Sequence, residues 1–299
     1  MASTILLTID VEDWFQVENF KQYIPFSTWS SHEFRVEKNV HRLLDLFDSY
    51  NEQRTINDEL TKNSLKATFF VLGWLAERLP HLVREIQKRG HEIASHGFYH
   101  NLCNKESHKR LKQDLLDSKK LLEDIISAPV FGYRAPSFSI SDDTLKVIEE
   151  CGYLYDSSFN SFAMHGRYGK ILLNSYTKKR LSYQVSDNFH ELPVSNLTLG
   201  KKGFVLPWGG GAYFRIIPFS IFKRSVENIL KKENAYLFYM HPWEIDPDQP
   251  RVHKASSSCK FRHYINLKKT FLKLTRFIEH FGQCRFVSCR QYLDKIADT

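Results

Sequence analysis

The chain has too few cysteines, wrongly spaced, for a disulfide scaffold or a zinc knuckle. Its five, Cys103, Cys151, Cys259, Cys284 and Cys289, are odd in number and include no Cys-x-x-Cys pair, a usage that fits a reducing compartment. No apolar run reaches the length of a bilayer span. After Met1-Ala2-Ser3-Thr4 comes only Ile5-Leu6-Leu7-Thr8-Ile9, which lacks the basic n-region and longer h-region of a signal peptide. The expectation is a cytoplasmic chain that is not transmembrane. A continuous basic stripe is also missing. Lys and Arg exceed Asp and Glu by 42 to 34, but short runs such as Lys178-Lys179-Arg180, Lys201-Lys202 and Lys268-Lys269 read as solvated faces. With no helix-turn-helix, zinc finger or aromatic RNA platform either, no nucleic-acid partner is expected.

What is present suits one large globular body. Hydrophobic residues make up 42% and charged ones 25% of 299 residues, enough for a substantial core without disorder. Short apolar runs alternate with helical patterns. Ile5–Ile9, Ala67–Val71, His91–Ser95, Val130–Tyr133, a short fifth strand before Asp156, Tyr236–Met240 and Arg285–Ser288 read as strands. Helical spacing marks Val40–Phe47, Trp74–Lys88, Leu111–Ile126, Leu145–Ile148, Phe219–Leu230 and Tyr264–Phe281. A polar excursion is expected at about 50–66, irregular hairpins and loops over about 159–202, and a helical C-terminal extension at about 250–299. Alternation of this kind predicts a mostly parallel sheet covered by helices, open or closed into a barrel, with its site at the C-terminal strand ends.

The chemically capable residues fall at those ends. His96 and His100 follow the third strand four residues apart and can face one metal ion, while Asp10-Val11-Glu12-Asp13 closes the first strand. Two histidines with one carboxylate are a common hydrolytic metal set. Arg134-Ala135-Pro136, Asp156 and His241 also stand just after strands.

Five segments, in order, carry a resemblance: Thr8-Ile9-Asp10-Val11-Glu12-Asp13-Trp14, Ser95-His96-Gly97-Phe98-Tyr99-His100, Tyr133-Arg134-Ala135-Pro136-Ser137, Tyr155-Asp156-Ser157-Ser158-Phe159 and Tyr239-Met240-His241-Pro242-Trp243-Glu244. The chain resembles the NodB-homology polysaccharide deacetylases, carbohydrate esterase family 4, in the branch opening with Asp-Val-Glu-Asp-Trp that also includes proteins of exopolysaccharide export loci. Trp208-Gly209-Gly210-Gly211-Ala212-Tyr213-Phe214-Arg215 is similar to a Gly-Gly-Gly-Tyr-Phe-Arg segment of that branch. The resemblance implies a deformed (β/α) barrel holding one divalent ion, zinc with cobalt or nickel as alternatives. It implies that His96 and His100 are ligands and that Asp10 is the catalytic base. The usual second aspartate is replaced here, so the third ligand is Glu12 or Asp13. Asp13 is favoured because it lies past the strand and can swing over its end.

The resemblance further implies that Arg134 pairs with and orients Asp10, that the Ser137 amide shares in holding the oxyanion, and that His241 is the general acid with Asp156 orienting its ring. Trp14, Tyr213 and Trp243 are expected to contact a sugar. The expected reaction is removal of N-acetyl groups from an amino sugar in a polysaccharide or a glycan precursor. A cyclic-ureide or formyl-sugar hydrolase, or a non-catalytic glycan-binding barrel, are the alternatives. The positive balance suggests peripheral contact with an anionic membrane.

Overall fold

The computed structural model describes residues 2–57, 64–162, 168–200 and 203–297. In chain order the elements are β1 (Thr4–Val11), α1 (Val36–Asn57), β2 (Thr68–Val71), α2 (Gly73–Arg78), α3 (Pro80–Lys88), β3 (Glu92–Ser95), α4 (His108–Ile126), β4 (Gly132–Tyr133), α5 (Asp142–Glu150) and β5 (Tyr155–Asp156). They continue with β6 (Thr177–Lys179), β7 (Ser182–Gln184), β8 (His190–Glu191), β9 (Leu197–Leu199), β10 (Phe204–Leu206), α6 (Gly211–Ile216), α7 (Phe219–Glu233), β11 (Ala235–Met240), α8 (Ser257–Tyr264), α9 (Leu267–His280), β12 (Arg285–Val287) and α10 (Cys289–Ala297).

The sheet runs β11-β1-β2-β3-β4-β5-β8-β7-β6, parallel from β11 to β8 and antiparallel beyond. β1 is buried along its whole length, as a central parallel strand must be, and its apolar residues divide by the two-residue period. Ile5, Leu7, Ile9 and Val11 face the covering helices. Leu6 faces inward, with Phe70, Ala94, Tyr155, Leu192, Leu237 and Tyr239. The sheet curls until the chain after β8 meets β11: Leu237 N–H donates to Ser195 Oγ (2.8 Å), and Tyr239 N–H donates to the Gly209 carbonyl (2.7 Å). Tyr292, Leu293 and Ile296 of α10 join the inward cluster, and Cys289 N–H donates to Thr68 Oγ1 at the start of β2. The N-terminal end of this deformed barrel is thereby plugged. Its C-terminal end is where a ligand can enter.

Several expectations need adjustment. The stretch 74–88 holds two helices, because Pro80 cannot continue the first; it opens α3 instead. A second break, at Asn266 with a left-handed φ of 56°, separates α8 from α9. α1 continues through Asn57, so helix takes up part of the polar excursion, and the rest of that excursion overlaps residues 58–63, which lie outside the described residues. Within 159–202 the hairpin β6–β7 joins the main sheet through β8, and β9 pairs with β10; residues 163–167 and 201–202 are outside the described set. The C-terminal segment is no appendage: β12 pairs with β1 beside β2, and α10 closes the barrel.

Candidate active site

The loop after β3 carries both histidines in a tight turn rather than a helix. Gly97 (φ 75°) and His100 (φ 56°) have left-handed backbones, and Asp114 of α4 clamps the turn by accepting the amides of Phe98 (2.8 Å) and Tyr99 (3.3 Å). A Cβ on Gly97 would stand 2.9 Å from that carboxylate, so only glycine fits there without a shift. The turn aims both imidazoles at Glu12. His96 Nε2 lies 3.1 Å and His100 Nε2 3.0 Å from Glu12 Oε1, and all three residues are buried.

The second nitrogen of His96 decides what this cluster can hold. Nδ1 lies 2.8 Å from the Arg134 carbonyl, which can only accept, so Nδ1 carries the proton and Nε2 of the neutral ring presents a lone pair inward. A lone pair facing a carboxylate oxygen is an arrangement that a divalent cation satisfies, and a backbone carbonyl behind a ligating imidazole is the usual support of a metal ligand. The donor set therefore fits one ion. Burial alone would raise the Glu12 carboxyl, but His100 and His241 beside it hold it well below the ordinary carboxylate range.

Asp13 does not take part. Its carboxylate accepts the amides of Trp14 (2.8 Å), Arg35 (2.7 Å) and Val36 (2.9 Å), which fixes it to the N-terminus of α1. The expectation of Asp13 as third ligand is thus corrected in favour of Glu12. Asp10 is reached by Arg134 Nη1 at 2.7 Å. The wholly buried guanidinium also donates to Thr8 Oγ1, Ser157 O and Ser157 Oγ, and lies over the Phe70 ring, so its position leaves no freedom.

His241 stands across the cluster, its Nε2 3.7 Å from Glu12 Oε1 and 4.0 Å from Asp10 Oδ2. Burial would lower its pKa, yet Glu12, Glu244 and Asp10 raise it to about 9. The ring is not oriented by Asp156, contrary to expectation. Asp156 spends its carboxylate on the hydroxyl (2.7 Å) and amide (3.0 Å) of Ser158, whose Oγ accepts from Ala135 N–H. Burial raises both Asp156 and its neighbour Glu191, the latter well above the ordinary range, so this pair retains a proton inside the sheet. The residue that holds His241 is Glu244. Its Oε1 meets His241 Nδ1 at 2.8 Å and accepts the His241 amide, while Oε2 accepts Arg215 Nε at 2.7 Å. Arg215 is anchored in turn on the carbonyls of Arg262, His263 and Ile265.

These groups sit at the floor of a cavity of about 480 Å³ lined by Ser137, Phe138, Phe162, Tyr213, Tyr239 and Trp243, among others. Ser137 has a left-handed backbone (φ 52°). Trp243 stacks on His241 with centroids 5.2 Å apart. Trp14 is placed elsewhere than expected: its indole donates to the Glu33 carbonyl and packs against Phe15 and His32, away from the cavity lining. The glycine run before Tyr213 serves the fold more than a ligand. A Cβ on Gly210 would fall 1.9 Å from the Tyr239 carbonyl, so the run is what lets this strand close on β11. Glu244 and Arg215 were within the quoted motifs but had no role assigned to them. The sign available was the three-residue step from His241 to Glu244 across a proline turn, which brings the two side chains together.

The curled α/β sheet with a candidate metal centre at its open end is the build of a NodB-type barrel. Part of the chain is similar to the NodB-homology polysaccharide deacetylases. Residues 40–155 match the polysaccharide deacetylase family, and residues 157–294 match a domain of unknown function, DUF3473. A peptidoglycan-N-acetylglucosamine deacetylase of Bacillus cereus is 36% identical over 96 residues, which is 32% of this chain and 45% of that protein. The chain thus spans less than half the length of such curated relatives. The crystal structure of a putative polysaccharide deacetylase from Mycobacterium smegmatis superposes with a TM-score of 0.65 at 18% identity, covering 99% of this chain and 90% of the other. The structure of Puue allantoinase gives 0.57 at 14% identity, covering 96% and 88%. Likeness at such identities concerns the fold. Among the described residues no helix is long and apolar enough to cross a membrane.

Proposed function

We propose that the chain is a metal-dependent hydrolase that removes N-acetyl groups from an amino sugar in a polysaccharide or glycan precursor. The observation that carries this reading is the cluster Glu12, His96 and His100, facing His241 on one side and the Asp10–Arg134 pair on the other. Glu12 Oε1 and the two Nε2 atoms would hold the ion, zinc first, with cobalt or nickel as alternatives. When bound, such an ion polarises the acyl oxygen and activates water.

The chain's own residues supply the proton transfers. Asp10, held by Arg134, takes the proton of the attacking water as general base. His241 delivers a proton from Nε2 to the departing amine, and Glu244 keeps that nitrogen aimed inward by holding Nδ1. The Ser137 amide at the cavity wall contributes to holding the oxyanion. Tyr213 offers a ring face to a pyranose, while Trp243, stacked on His241 and His263, forms the wall beside it. All five cysteines are free thiols, which suits a cytoplasmic enzyme acting on a precursor.

The test is acetate release from chitooligosaccharides, peptidoglycan fragments and lipid- or nucleotide-linked hexosamines by chelated protein, with metals returned singly and His96→Ala as control. Release restored by metal in the parent and absent in the variant is expected. A metal-loaded parent that frees no acetate from any of these sugars would overturn the reading.

A further inference from the structure

The charge imbalance of this chain is local. From Gln249 to Ile278 there is no Asp or Glu, while eight of the 42 Lys and Arg fall there; the remaining 34 equal the 34 Asp and Glu, so one segment carries the whole +8. Arg251, Lys254, Arg262, Lys268, Lys269 and Arg276 are exposed. Glu18, the acid lining the mouth opposite α8, is paired with Lys21 at 3.6 Å.

This segment borders the cavity. Phe261 and Arg262 of α8 and Ile216 of α6 line its mouth; Arg215 locks α6 to α8, and Lys273 locks α9 to α6 by donating from Nζ to the Phe214 and Ile217 carbonyls. Large apolar side chains stand among the cations: Phe261 is 58%, Leu272 55% and Ile216 42% exposed. On α9, Lys268, Lys269, Leu272 and Arg276 recur at helical spacing and are all exposed, which puts them on one outer face.

We propose that the face formed by α8, the outer side of α9 and the end of α6 docks on an anionic phospholipid surface. Lys and Arg seek the negative headgroups while Leu, Ile and Phe leave water for the acyl boundary, a composition suited to an interface. An acidic glycan or a nucleic acid would satisfy the cations but leave Leu272 and Ile216 in water. Docking so placed turns the cavity mouth toward lipid-carried amino sugars, a consequence that rests on the deacetylase reading; the docking itself does not.

Co-sedimentation of the full chain with phosphatidylcholine vesicles, with and without about one part in three of phosphatidylglycerol, tests it. Binding to the anionic vesicles, roughly tenfold or more above that to neutral ones and weakened by salt, is expected. Lys268→Glu/Lys269→Glu/Arg276→Glu should weaken it by about 100-fold or more while thermal unfolding and acetate release from a soluble chitooligosaccharide stay unchanged. Leu272→Ser should weaken it severalfold at every salt concentration. Equal binding to both vesicle types, no vesicle binding, undiminished binding by the triple variant, or capture of soluble dextran sulfate without vesicle binding would each overturn the proposal. If vesicles bind but no sugar releases acetate, the deacetylase reading fails and the docking face stands.

Discussion

Two adjacent acids, Glu12 and Asp13, are chemically alike but the fold assigns them separate work. The period that turns Leu6, Thr8 and Asp10 into the barrel carries Glu12 to the same side, whereas Asp13 turns out to the first amides of α1. Glu12→Ala should therefore lower metal affinity at least about tenfold with little loss of stability, and Asp13→Ala should cost about 1–2 kcal/mol of stability with metal affinity kept. Calorimetric metal titration and urea denaturation of both variants distinguish these outcomes. The same strand period is present in the sequence, where it competes with the reach of a residue past the strand end. For Glu244, exchange to Gln should cut kcat by about 10- to 100-fold while metal content and KM hold, because the aim of His241 is lost and nothing at the metal or the sugar wall changes. A proportional rise in KM would place Glu244 in substrate binding instead.

The helices and strands were legible wherever one period dominated over a long stretch, as in β1, α4 and β11. What escaped notice depends on tertiary partners. β8 is only two residues long, too short for any period to show, and exists because β5 and β7 pair with it. β12 and α10 gain their meaning from sitting at the barrel base, far in sequence from β1. The closure at β11 depends on Gly210, whose φ of 133° and contact with the Tyr239 carbonyl exclude a side chain. Gly210→Ala should destabilise the fold by about 3 kcal/mol, read as a shift in urea midpoint at unchanged slope. A shift near zero would show that this edge closes by other means.

Across the whole molecule, acid lability should come from histidines buried neutral. Burial lowers His91 to about 3, with Lys66 and Arg89 adding to the effect, and its Nδ1 accepts the Ala67 amide. Burial likewise holds His263, stacked on Trp243, well below the ordinary range. A folded pKa below the unfolded value near 6.5 means full stability above that pH and progressive loss as pH falls from there toward about 3. His91→Gln, whose amide oxygen can still accept from Ala67, should remove about 1.4 kcal/mol per pH unit of that slope, measured by urea denaturation at stepped pH. The central claim concerns one cation and three side chains, and anomalous diffraction from zinc-loaded crystals tests it most directly. The account predicts a single ion bound by Glu12 Oε1, His96 Nε2 and His100 Nε2 at about 2.0–2.2 Å. An ion ligated by Asp13, or none between the two imidazoles, would contradict it.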